Sequence, residues 1–421
     1  MRISPTKDKI DKTRYRVSQM LHTPLVKIQS LAEVIGILVS NFPGVQYGPL
    51  HYRSLEKDKI SALKKSHGNF DSTLALSPSS RSELIWWYDN ISNAYCKIVH
   101  DEASHILICD ASMSGWGALL GDKKVNGCWN DCQKSCHINY LELLAVQYAL
   151  TSFCDTFSFT HVHVLSDSVT AVTYLNHMGG IKSNSCNDLV QSIWQWCINR
   201  NIWISASHIP GTENTEADLL SRDPTGNTEW MLNPTIFRTI VSLWGQPEID
   251  LFASRINCQL HKYVSWQSDP SAFATDAFSI SWKNIFFYAF LPFSLIGKCL
   301  RKIEMDQASG ILVAPQWTTQ TWYTRIMQLL VDQPILLQPH KDLLTLPFSK
   351  TNTHPLHKKL RLMVCRVSGK LCESDKFRQG LQKSYFPLRD QALESNTPAL
   401  FTNGSFSVVK GVSIPFVLLS T

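Results

Sequence analysis

The sequence predicts an α/β protein whose central part folds into a five-stranded mixed β-sheet with helices on its faces. Between residues 106 and 222, short apolar runs rich in β-branched residues alternate with segments of helical periodicity. Three such runs precede the first helix, in the order β-β-β-α-β-α-α-β-α, which predicts an antiparallel start followed by parallel strands. Helical periodicity dominates before this region, and a second, smaller α/β pattern follows it.

The length of 421 residues is enough for two or three domains. We expect a helical segment over residues 1–100, of which 1–20 are polar and predict a frayed start. The five-stranded sheet is expected over 101–224 and the second α/β unit over 225–340. Residues 341–421 are rich in Pro, Ser, Lys and Thr with few periodic runs, which indicates a linker or a poorly ordered tail.

The central elements follow from the apolar periods and the turn residues. A hairpin is predicted to turn at Ser114–Gly115, and Pro210–Gly211 is predicted to lead the last strand into the last helix. Asn139 is the expected cap of the first helix. The predicted strands are 106–110, 117–120, 125–129, 162–166 and 202–207, and the predicted helices are 139–153, 170–176, 187–199 and the segment that carries Asp218.

The net charge of +6 is unevenly distributed along the chain. Residues 1–100 contain 14 basic and 8 acidic side chains, residues 101–222 contain 6 and 12, and residues 223–421 contain 20 and 14. An acidic centre between basic flanks suggests a polyanion held by the flanks while the centre holds cations. Solvated surface charge without a partner is the alternative explanation.

Composition also argues against several classes of protein. The longest apolar run, residues 285–297, is interrupted by Pro292 and is too short to span a bilayer. No secretory signal is recognisable, so we expect the twelve cysteines to be reduced and the protein to be intracellular, in the cytoplasm or the nucleus. Cys128, Cys132, Cys136 and His137 are clustered, but they lack the CxxC pairs of zinc sites.

Four acidic residues stand within or at the ends of otherwise apolar elements of the central region: Asp110, Glu142, Asp167 and Asp218. An isolated carboxylate among buried neighbours is costly unless it is paired or bound to a metal. Carboxylate oxygens select a hard cation, Mg²⁺ or Mn²⁺, and two such ions would suit phosphodiester hydrolysis. Taken singly, each residue could instead be a helix cap or a surface acid.

The segments around these acids, CDASMSGWGALL, INYLELLAVQYAL, VHVLSDS and HIPGTENTEADLLSR, resemble the successive motifs of the ribonuclease H module of retroelement reverse transcriptases. The resemblance covers about residues 105–222 and implies a ribonuclease H-like sheet. It also implies that Asp110 bridges two metal ions, with Asp218 on the nucleophile side and Glu142 and Asp167 on the leaving-group side. His208 matches the family's mobile-loop histidine, which is thought to assist proton handling or product release.

Substrate contacts are harder to predict than the metal ligands. Ser112, Ser114, Ser168 and Asn214 are candidates to hydrogen-bond the sugar-phosphate backbone, and 2′-hydroxyls would distinguish RNA from DNA. Free-standing family members grip the hybrid with a basic insertion, which is missing here; only Lys182 lies in the corresponding segment. Flanking basic segments would then have to supply the grip.

The flanks resemble other parts of retroelement polyproteins. PLVKIQSLAEVIGILVSNFPGVQYGPLHYRSLEKDKI and LIWWYDNI resemble the thumb and connection region of DIRS-like retrotransposons, without the polymerase palm. Residues 247–330 are similar to the adenine-N6 DNA methyltransferase-like segment of those elements, which implies that Asp250–Phe252 lie near S-adenosylmethionine. The catalytic Asn/Asp-Pro-Pro-aromatic signature is replaced by Phe290–Phe293, so we expect this segment to be inactive. Residues 341–421 resemble the linker that precedes a tyrosine recombinase.

These observations predict an endoribonuclease that uses two Mg²⁺ or Mn²⁺ ions to cut the RNA strand of RNA–DNA hybrids. Its expected partners are the hybrid and the rest of a reverse transcriptase polyprotein. A non-catalytic nucleic-acid-binding or structural connector of the same fold is the main alternative. An active DNA adenine methyltransferase is a third hypothesis, which the residues Phe290–Phe293 disfavour.

Overall fold

A computed structural model describes residues 1–222, 230–347, 353–381, 400–402, 406–409 and 412–419. The chain divides into two compact units, Met1–Pro224 and Thr225–Thr421. Each unit is described separately below.

The first unit begins with four helices, and their bounds are Lys7–His22 (α1), Ile28–Ser40 (α2), Arg53–Lys65 (α3) and Pro78–Asn90 (α4). Helices α1 and α3 each pack against α2 and α4. Two short antiparallel pairs join this region: Arg2–Ile3 with Cys96–Lys97, and Val26–Lys27 with Thr73–Leu74.

The start of the chain differs from the sequence prediction. Residues 7–22 form helix α1 rather than a frayed segment. Its exposed face is strongly polar, which hides the apolar stripe, but Val17 and Met20 are buried against the helical core around Leu38 and Trp87. Tertiary packing therefore orders a segment whose composition is mostly polar.

The five-stranded mixed sheet that the sequence predicts is confirmed. Its strands are His105–Ala111 (β1), Gly115–Leu120 (β2), Lys123–Cys128 (β3), Thr160–Ser166 (β4) and Ile202–His208 (β5). Their order in the sheet is β3-β2-β1-β4-β5. The first three strands are antiparallel, whereas β4 runs parallel to both β1 and β5.

Five helices accompany this sheet: Asp131–Lys134 (α5), Ile138–Phe153 (α6), Val169–Asn176 (α7), Asn184–Asn199 (α8) and Thr215–Arg222 (α9). Helices α6, α7 and α8 share one core with the apolar residues of the sheet, which include Leu107 and Val164. The cap of α6 is His137, whose ring nitrogen accepts the Asn139 N–H, and not Asn139 itself.

The second unit contains a six-stranded sheet. Its strands are Ile249–Asp250 (β6), Phe286–Phe290 (β7), Ser309–Pro315 (β8), Ile335–Leu337 (β9), Leu362–Ser368 (β10) and Val417–Leu418 (β14), in the order β6-β7-β8-β10-β9-β14. A three-stranded sheet is formed by Leu400–Thr402 (β11), Phe406–Val409 (β12) and Val412–Pro415 (β13). The helices are Pro234–Trp244 (α10), Ile296–Asp306 (α11), Thr321–Leu329 (α12) and Leu371–Gln379 (α13).

The region after residue 341 is more ordered than its composition predicts. Strand β10 lies inside the six-stranded sheet, antiparallel to both β8 and β9. Its Leu362, Met363 and Val364 are completely buried. The prediction of a linker or poorly ordered tail is therefore wrong for residues 362–368, because a strand with two sheet neighbours gains its stability from distant segments that its local sequence does not reveal.

Within the described residues, none of the helices combines the length and the apolar character that crossing a lipid bilayer requires.

Candidate metal site at the edge of the first sheet

The strand register brings two of the predicted acids side by side. Strands β1 and β4 are parallel, with Leu107 opposite Val164 and Ile108 opposite Leu165. Continuing this register by two residues places Asp110 beside Asp167. Both residues therefore lie at the carboxyl ends of adjacent parallel strands, where α/β proteins commonly build their sites.

Helix α6 contributes the third acid. Glu142 lies in its first half, and one carboxylate oxygen each of Asp110, Glu142 and Asp167 lie within 4.8 Å of one another. The backbone N–H of Ala111, at the end of β1, forms a hydrogen bond with the Glu142 carboxylate. Three carboxylates from three separate elements thus share one small volume.

Burial and mutual repulsion perturb the acidity of this group. Asp110 is 3% exposed and Glu142 is 7% exposed. Burial raises the pKa of Glu142 to about 9, and the neighbouring charges of Asp110 and Asp167 add to the rise. Burial likewise raises the pKa of Asp110 to about 6, although the hydroxyl of Ser221 opposes that change. A positive charge placed among the three oxygens would reverse these effects.

The residues present fit a small divalent cation. Glu142 Oε2 is buried and has no hydrogen-bond partner among the described residues, so its desolvation is uncompensated by the protein. All three donors are carboxylate oxygens, which favour Mg²⁺ or Mn²⁺ over softer ions. Among the described residues, this acidic trio is the cluster of potential metal ligands that the structure forms. It includes none of the clustered cysteines.

Asp218 is close to the trio but is held differently. It lies in the first turn of α9 and its charge contributes to raising the pKa of Asp110. Its Oδ1 accepts a hydrogen bond of 2.6 Å from Nε of Arg222, one turn further along the helix. The group of three whose oxygens lie within 4.8 Å does not include Asp218.

His208 ends strand β5 and is exposed. It is opposite Ser166 in the sheet, so it lies at the same edge as Asp167. The turn that follows also approaches this acid, because a Cβ atom on Gly211 would lie 3.3 Å from Asp167 Oδ2. The loop between β5 and α9 therefore borders the carboxylates, as the sequence motif implies.

The four predicted substrate-binding residues all have partners within the protein. Ser112 donates to the Ser221 carbonyl at 2.7 Å, and the Ser112 and Ser114 hydroxyls lie 2.8 Å apart. The Ser168 hydroxyl accepts the Ala171 N–H and caps α7. Asn214 is 1% exposed and donates to the Cys109 carbonyl and to Asp110 Oδ1. The geometry gives Asn214 a positioning role toward Asp110, while direct substrate contact by these residues remains a prediction.

Two residues of the site do not stand out in the sequence. Ser221 is completely buried and donates a hydrogen bond of 2.5 Å to Asp110 Oδ2. Gly117, opposite Asp110 on β2, allows α9 to approach, since a Cβ atom there would lie 2.5 Å from Leu220 Cβ and 2.6 Å from the Ala217 carbonyl oxygen. A glycine inside a strand pattern is the available sequence signal for such a close approach.

Comparison with solved structures finds similarity to ribonuclease H enzymes. LC11 RNase H1 in complex with an RNA/DNA hybrid is 20% identical, with a TM-score of 0.25 over 28% of this chain and 93% of that chain. RNase H1 from the halophilic archaeon Halobacterium salinarum is 17% identical, with a TM-score of 0.24 over 29% of this chain and 98% of that chain. These are similarities of fold.

A longer region is similar to a viral polyprotein. The foamy viral protease-reverse transcriptase in complex with an RNA/DNA hybrid is 12% identical, with a TM-score of 0.20 over 48% of this chain. The matched part spans 27% of that viral chain. No protein-family model and no curated protein matches the sequence.

Proposed function

We propose that the first unit is a metal-dependent endoribonuclease that hydrolyses the RNA strand of RNA–DNA hybrids. The observation that supports this proposal is the convergence of Asp110, Glu142 and Asp167, whose carboxylate oxygens lie within 4.8 Å of one another at a strand edge. Three carboxyl groups so close together, two of them buried, are costly to ionise unless a cation compensates for their charge. The four sequence motifs around the acids support the choice of substrate.

The proposed cofactor is a pair of Mg²⁺ or Mn²⁺ ions. Asp110, Glu142 and Asp167 would hold the first, and Asp110 and Asp218 would hold the second once Asp218 leaves Arg222. When bound, such ions activate a water molecule and stabilise the leaving oxygen of a phosphodiester. The buried donors Asn214 and Ser221 keep the Asp110 carboxylate in one orientation, so that each of its oxygens faces a fixed direction.

Other residues of the edge have proposed roles in substrate handling. His208 is exposed beside the acids and would carry a proton or assist release of the product. Ser112, Ser114 and Ser168 lie in the loops that follow β1 and β4, where their backbone or hydroxyl groups would meet the sugar-phosphate chain. Discrimination of RNA from DNA would rest on 2′-hydroxyl contacts in this region.

We also propose that the chain belongs to a DIRS-like retrotransposon polyprotein and acts together with its reverse transcriptase. The sequence motifs of residues 24–60 and 84–91 support this proposal. The second unit would derive from an adenine-N6 methyltransferase-like segment. We do not propose methyl transfer, because Leu291 is a buried apolar residue where that chemistry needs a polar acceptor, and Asp250 is only 2% exposed.

Cleavage of a labelled RNA–DNA hybrid by the full chain tests the proposed activity. We expect hydrolysis of the RNA strand with Mg²⁺ or Mn²⁺ and none after chelation. Asp110→Asn and Glu142→Gln should each lower the cleavage rate by at least about a hundredfold while the protein stays folded, because they remove cation ligands. Asp122→Asn, in the exposed turn after β2, serves as the matched control and should cleave like the wild type.

Full activity in the purified Asp110→Asn protein would contradict the assignment, and so would recovery after chelation with Zn²⁺ alone. Circular dichroism of each variant separates loss of a ligand from loss of the fold.

A non-catalytic hybrid-binding module is the second candidate, and the ion pair between Asp218 and Arg222 favours it. A carboxylate that is already neutralised at 2.6 Å is less available as a metal ligand. This candidate predicts hybrid binding without cleavage in any divalent metal. The same assay therefore decides between the two, and Arg222→Ala would raise cleavage only if the nuclease proposal is correct.

A further inference from the structure

Helix α3 carries a row of basic side chains on the side opposite its buried positions. These buried positions include Leu55 and Ala62. Lys57 and Lys64 lie four and eleven positions after Arg53. This spacing places the three residues in one row along the helix, on the side opposite Leu55 and Ala62. Lys64 is exposed and Lys57 half-buried, whereas the side chain of Arg53 is only 13% exposed. With a rise of about 1.5 Å per residue, the row is roughly 17 Å long. We name Arg53, Lys57 and Lys64 the α3 basic row.

One end of the α3 basic row is attached to the sheet region of the same unit. Arg53 Nη2 donates to the His177 carbonyl at 3.4 Å, and a Cβ atom on Gly179 would lie 3.6 Å from Arg53 Cγ. The segment before α3 is fixed as well, since Gln191 of α8 donates to the Leu50 carbonyl at 3.1 Å. The row therefore starts at the loop between α7 and α8.

Most cations of the sheet region are neutralised locally. Ion pairs join Lys124 to Glu216, Lys134 to Asp131, Arg200 to Asp155 and Arg222 to Asp218. Between residues 101 and 222, which the structure describes completely, Lys123 and Lys182 remain outside such pairs. Lys182 is exposed and lies in the loop between α7 and α8, three residues after Gly179. The unpaired positive charge of Lys182 is thus in the loop at which the α3 basic row starts.

The charges of the row itself are only partly compensated. Arg53 pairs with Glu56 at 2.9 Å, and Lys57 is near enough to Glu83 to lower its pKa, although burial raises the pKa of that acid more strongly. Among the described residues, neither Lys57 nor Lys64 forms an ion pair, and Lys64 is exposed. The outer face of α3 keeps a net positive charge next to an acidic site that would repel a polyanion.

We propose that Lys57 and Lys64 of the α3 basic row, continued by Lys182, bind the phosphate backbone of the duplex on which the carboxylate site acts, while Arg53 anchors the row; this inference rests on the proposed nuclease function. Helix α7 begins beside Asp167 and is eight residues long, so the row starts roughly 12 Å from the acids. A row that extends a further 17 Å or so would contact phosphates several nucleotides from the cleaved bond. The helical segment thereby positions the substrate.

Hybrid binding by the full chain tests this surface without cleavage. Fluorescence anisotropy with a labelled RNA–DNA hybrid is measured in Ca²⁺, over a series of salt concentrations, for the wild type and for Lys57→Ala/Lys64→Ala. We expect about tenfold weaker binding, and a slope of log affinity against log salt that is smaller by about two, because two phosphate contacts are lost. Adding Lys182→Ala should weaken binding further.

The matched control is Lys9→Ala/Lys12→Ala on α1, a separate helix of the same segment whose two lysines are exposed. It should bind like the wild type. The proposal would be overturned if both double variants lost hybrid affinity equally. It would also be overturned if the α3 variant kept the wild-type slope of log affinity against log salt. Polyglutamate that competes as well as duplex would also overturn it, since the surface would then attract any polyanion.

The outcome is separable from that of the nuclease proposal. If the wild type binds hybrid through the α3 basic row but cleaves nothing in Mg²⁺ or Mn²⁺, the surface stands and the nuclease assignment fails. If cleavage occurs and the α3 variant keeps the wild-type KM and salt dependence, the surface fails and the nuclease assignment stands.

Discussion

At the scale of single residues, the orientation of Asp110 depends on side chains that come from the far end of the first unit. Asn214 donates to its Oδ1 at 3.3 Å and Ser221 donates to its Oδ2 at 2.5 Å. Both donors are buried, so water does not compete with them. A hydrogen bond to a carboxylate favours its charged form, which is the form that binds a cation.

Ser221→Ala should weaken Mn²⁺ binding by about tenfold and shift its pH dependence upward, because the pKa of Asp110 loses the contact that opposes its rise above about 6. Isothermal titration calorimetry between pH 6 and 8 measures both effects. Ser114→Ala is the control, since the Ser114 hydroxyl does not contact Asp110. An affinity loss that is the same at every pH would point to a general loosening of α9 instead.

Glu142 makes cation binding proton-coupled. Burial, together with Asp110 and Asp167, raises its pKa to about 9 in the metal-free protein, so its carboxyl group is protonated at pH 7. A cation binds the deprotonated form, and therefore the apparent Mn²⁺ affinity should rise by up to about tenfold per pH unit between pH 7 and 9. Calorimetry in buffers of different ionisation enthalpy should detect the released proton.

Glu142→Gln cannot release this proton, so its remaining Mn²⁺ affinity should be nearly independent of pH over the same range. Asp122→Asn should behave like the wild type. Wild-type binding without proton release at pH 7 would show that Glu142 is already ionised in the free protein.

At the scale of elements, the packing of α9 across β1 and β2 assembles the site. The helix brings Asp218 and Ser221 to the sheet, and Asn214 immediately precedes it. This packing depends on Gly117, where the helix backbone approaches too closely for any side chain. The β1–β2 turn also fastens the end of α9, because Ser112 donates to the Ser221 carbonyl.

Gly117→Ala should therefore displace α9. The added Cβ would lie 2.6 Å from the Ala217 carbonyl oxygen, so the helix has to move, at a cost of about 1–3 kcal/mol in the free energy of unfolding. The cleavage rate should fall by more than the loss of folded protein accounts for, since Asn214 and Ser221 move with the helix. Chemical denaturation and the hybrid cleavage assay measure the two effects.

Gly36→Ala provides the comparison within the same unit. Gly36 lies in α2 with open space around it, so alanine should be neutral or stabilising by up to about 1 kcal/mol and should leave cleavage unchanged. A fully active Gly117→Ala protein would mean that α9 does not position the carboxylates.

At the scale of the whole molecule, the two units carry buried acids of different kinds. The acids of the first unit converge from separate elements, whereas Asp250 of the second unit lies on strand β6 and is 2% exposed. Asp250 accepts the Gln259 N–H at 3.0 Å and is adjacent to Tyr288, whose hydroxyl has no partner among the described residues. Very little of the Asp250 side chain is therefore exposed at the surface of the unit.

Burial raises the pKa of Asp250 to about 7, well above the ordinary value of 3.8. The folded second unit then binds more protons than the unfolded chain between pH 4 and 7. The contribution of Asp250 to the free energy of unfolding is therefore greatest below pH 4. It falls by at most about 4 kcal/mol as the pH rises to about 7. Hydrogen exchange of β7 and β8 at pH 5 and pH 8 measures the change.

Asp250→Asn removes the titrating group, so the opening free energy of β7 and β8 should depend less on pH than in the wild type. Asp342→Asn, on the exposed carboxylate beside His340, should leave the wild-type dependence unchanged. Identical pH profiles for Asp250→Asn and the wild type would show that Asp250 is not the responsible group.

The local sequence determined the elements that hold the acids. Periods of two and 3.6 residues located the five strands and the helices α6–α9, and the residues around Asp110, Glu142 and Asp167 already predicted a cation site. These features depend on near neighbours in the chain, so pattern and composition are sufficient to find them. Helix α1 and strand β10 were not predicted, because their stability comes from packing partners that are far away in the sequence.

Only the tertiary structure decided how the acids are supported and oriented. The partners of Asp110 are more than a hundred positions away, and the 4.8 Å convergence of Asp110, Glu142 and Asp167 requires parallel strands in register and a helix packed against them. The ion pair of Asp218 with Arg222 and the attachment of Arg53 to the loop after α7 are also products of packing. Hydrogen-bond geometry and burial depend on distances in space, which a pattern along the chain does not specify.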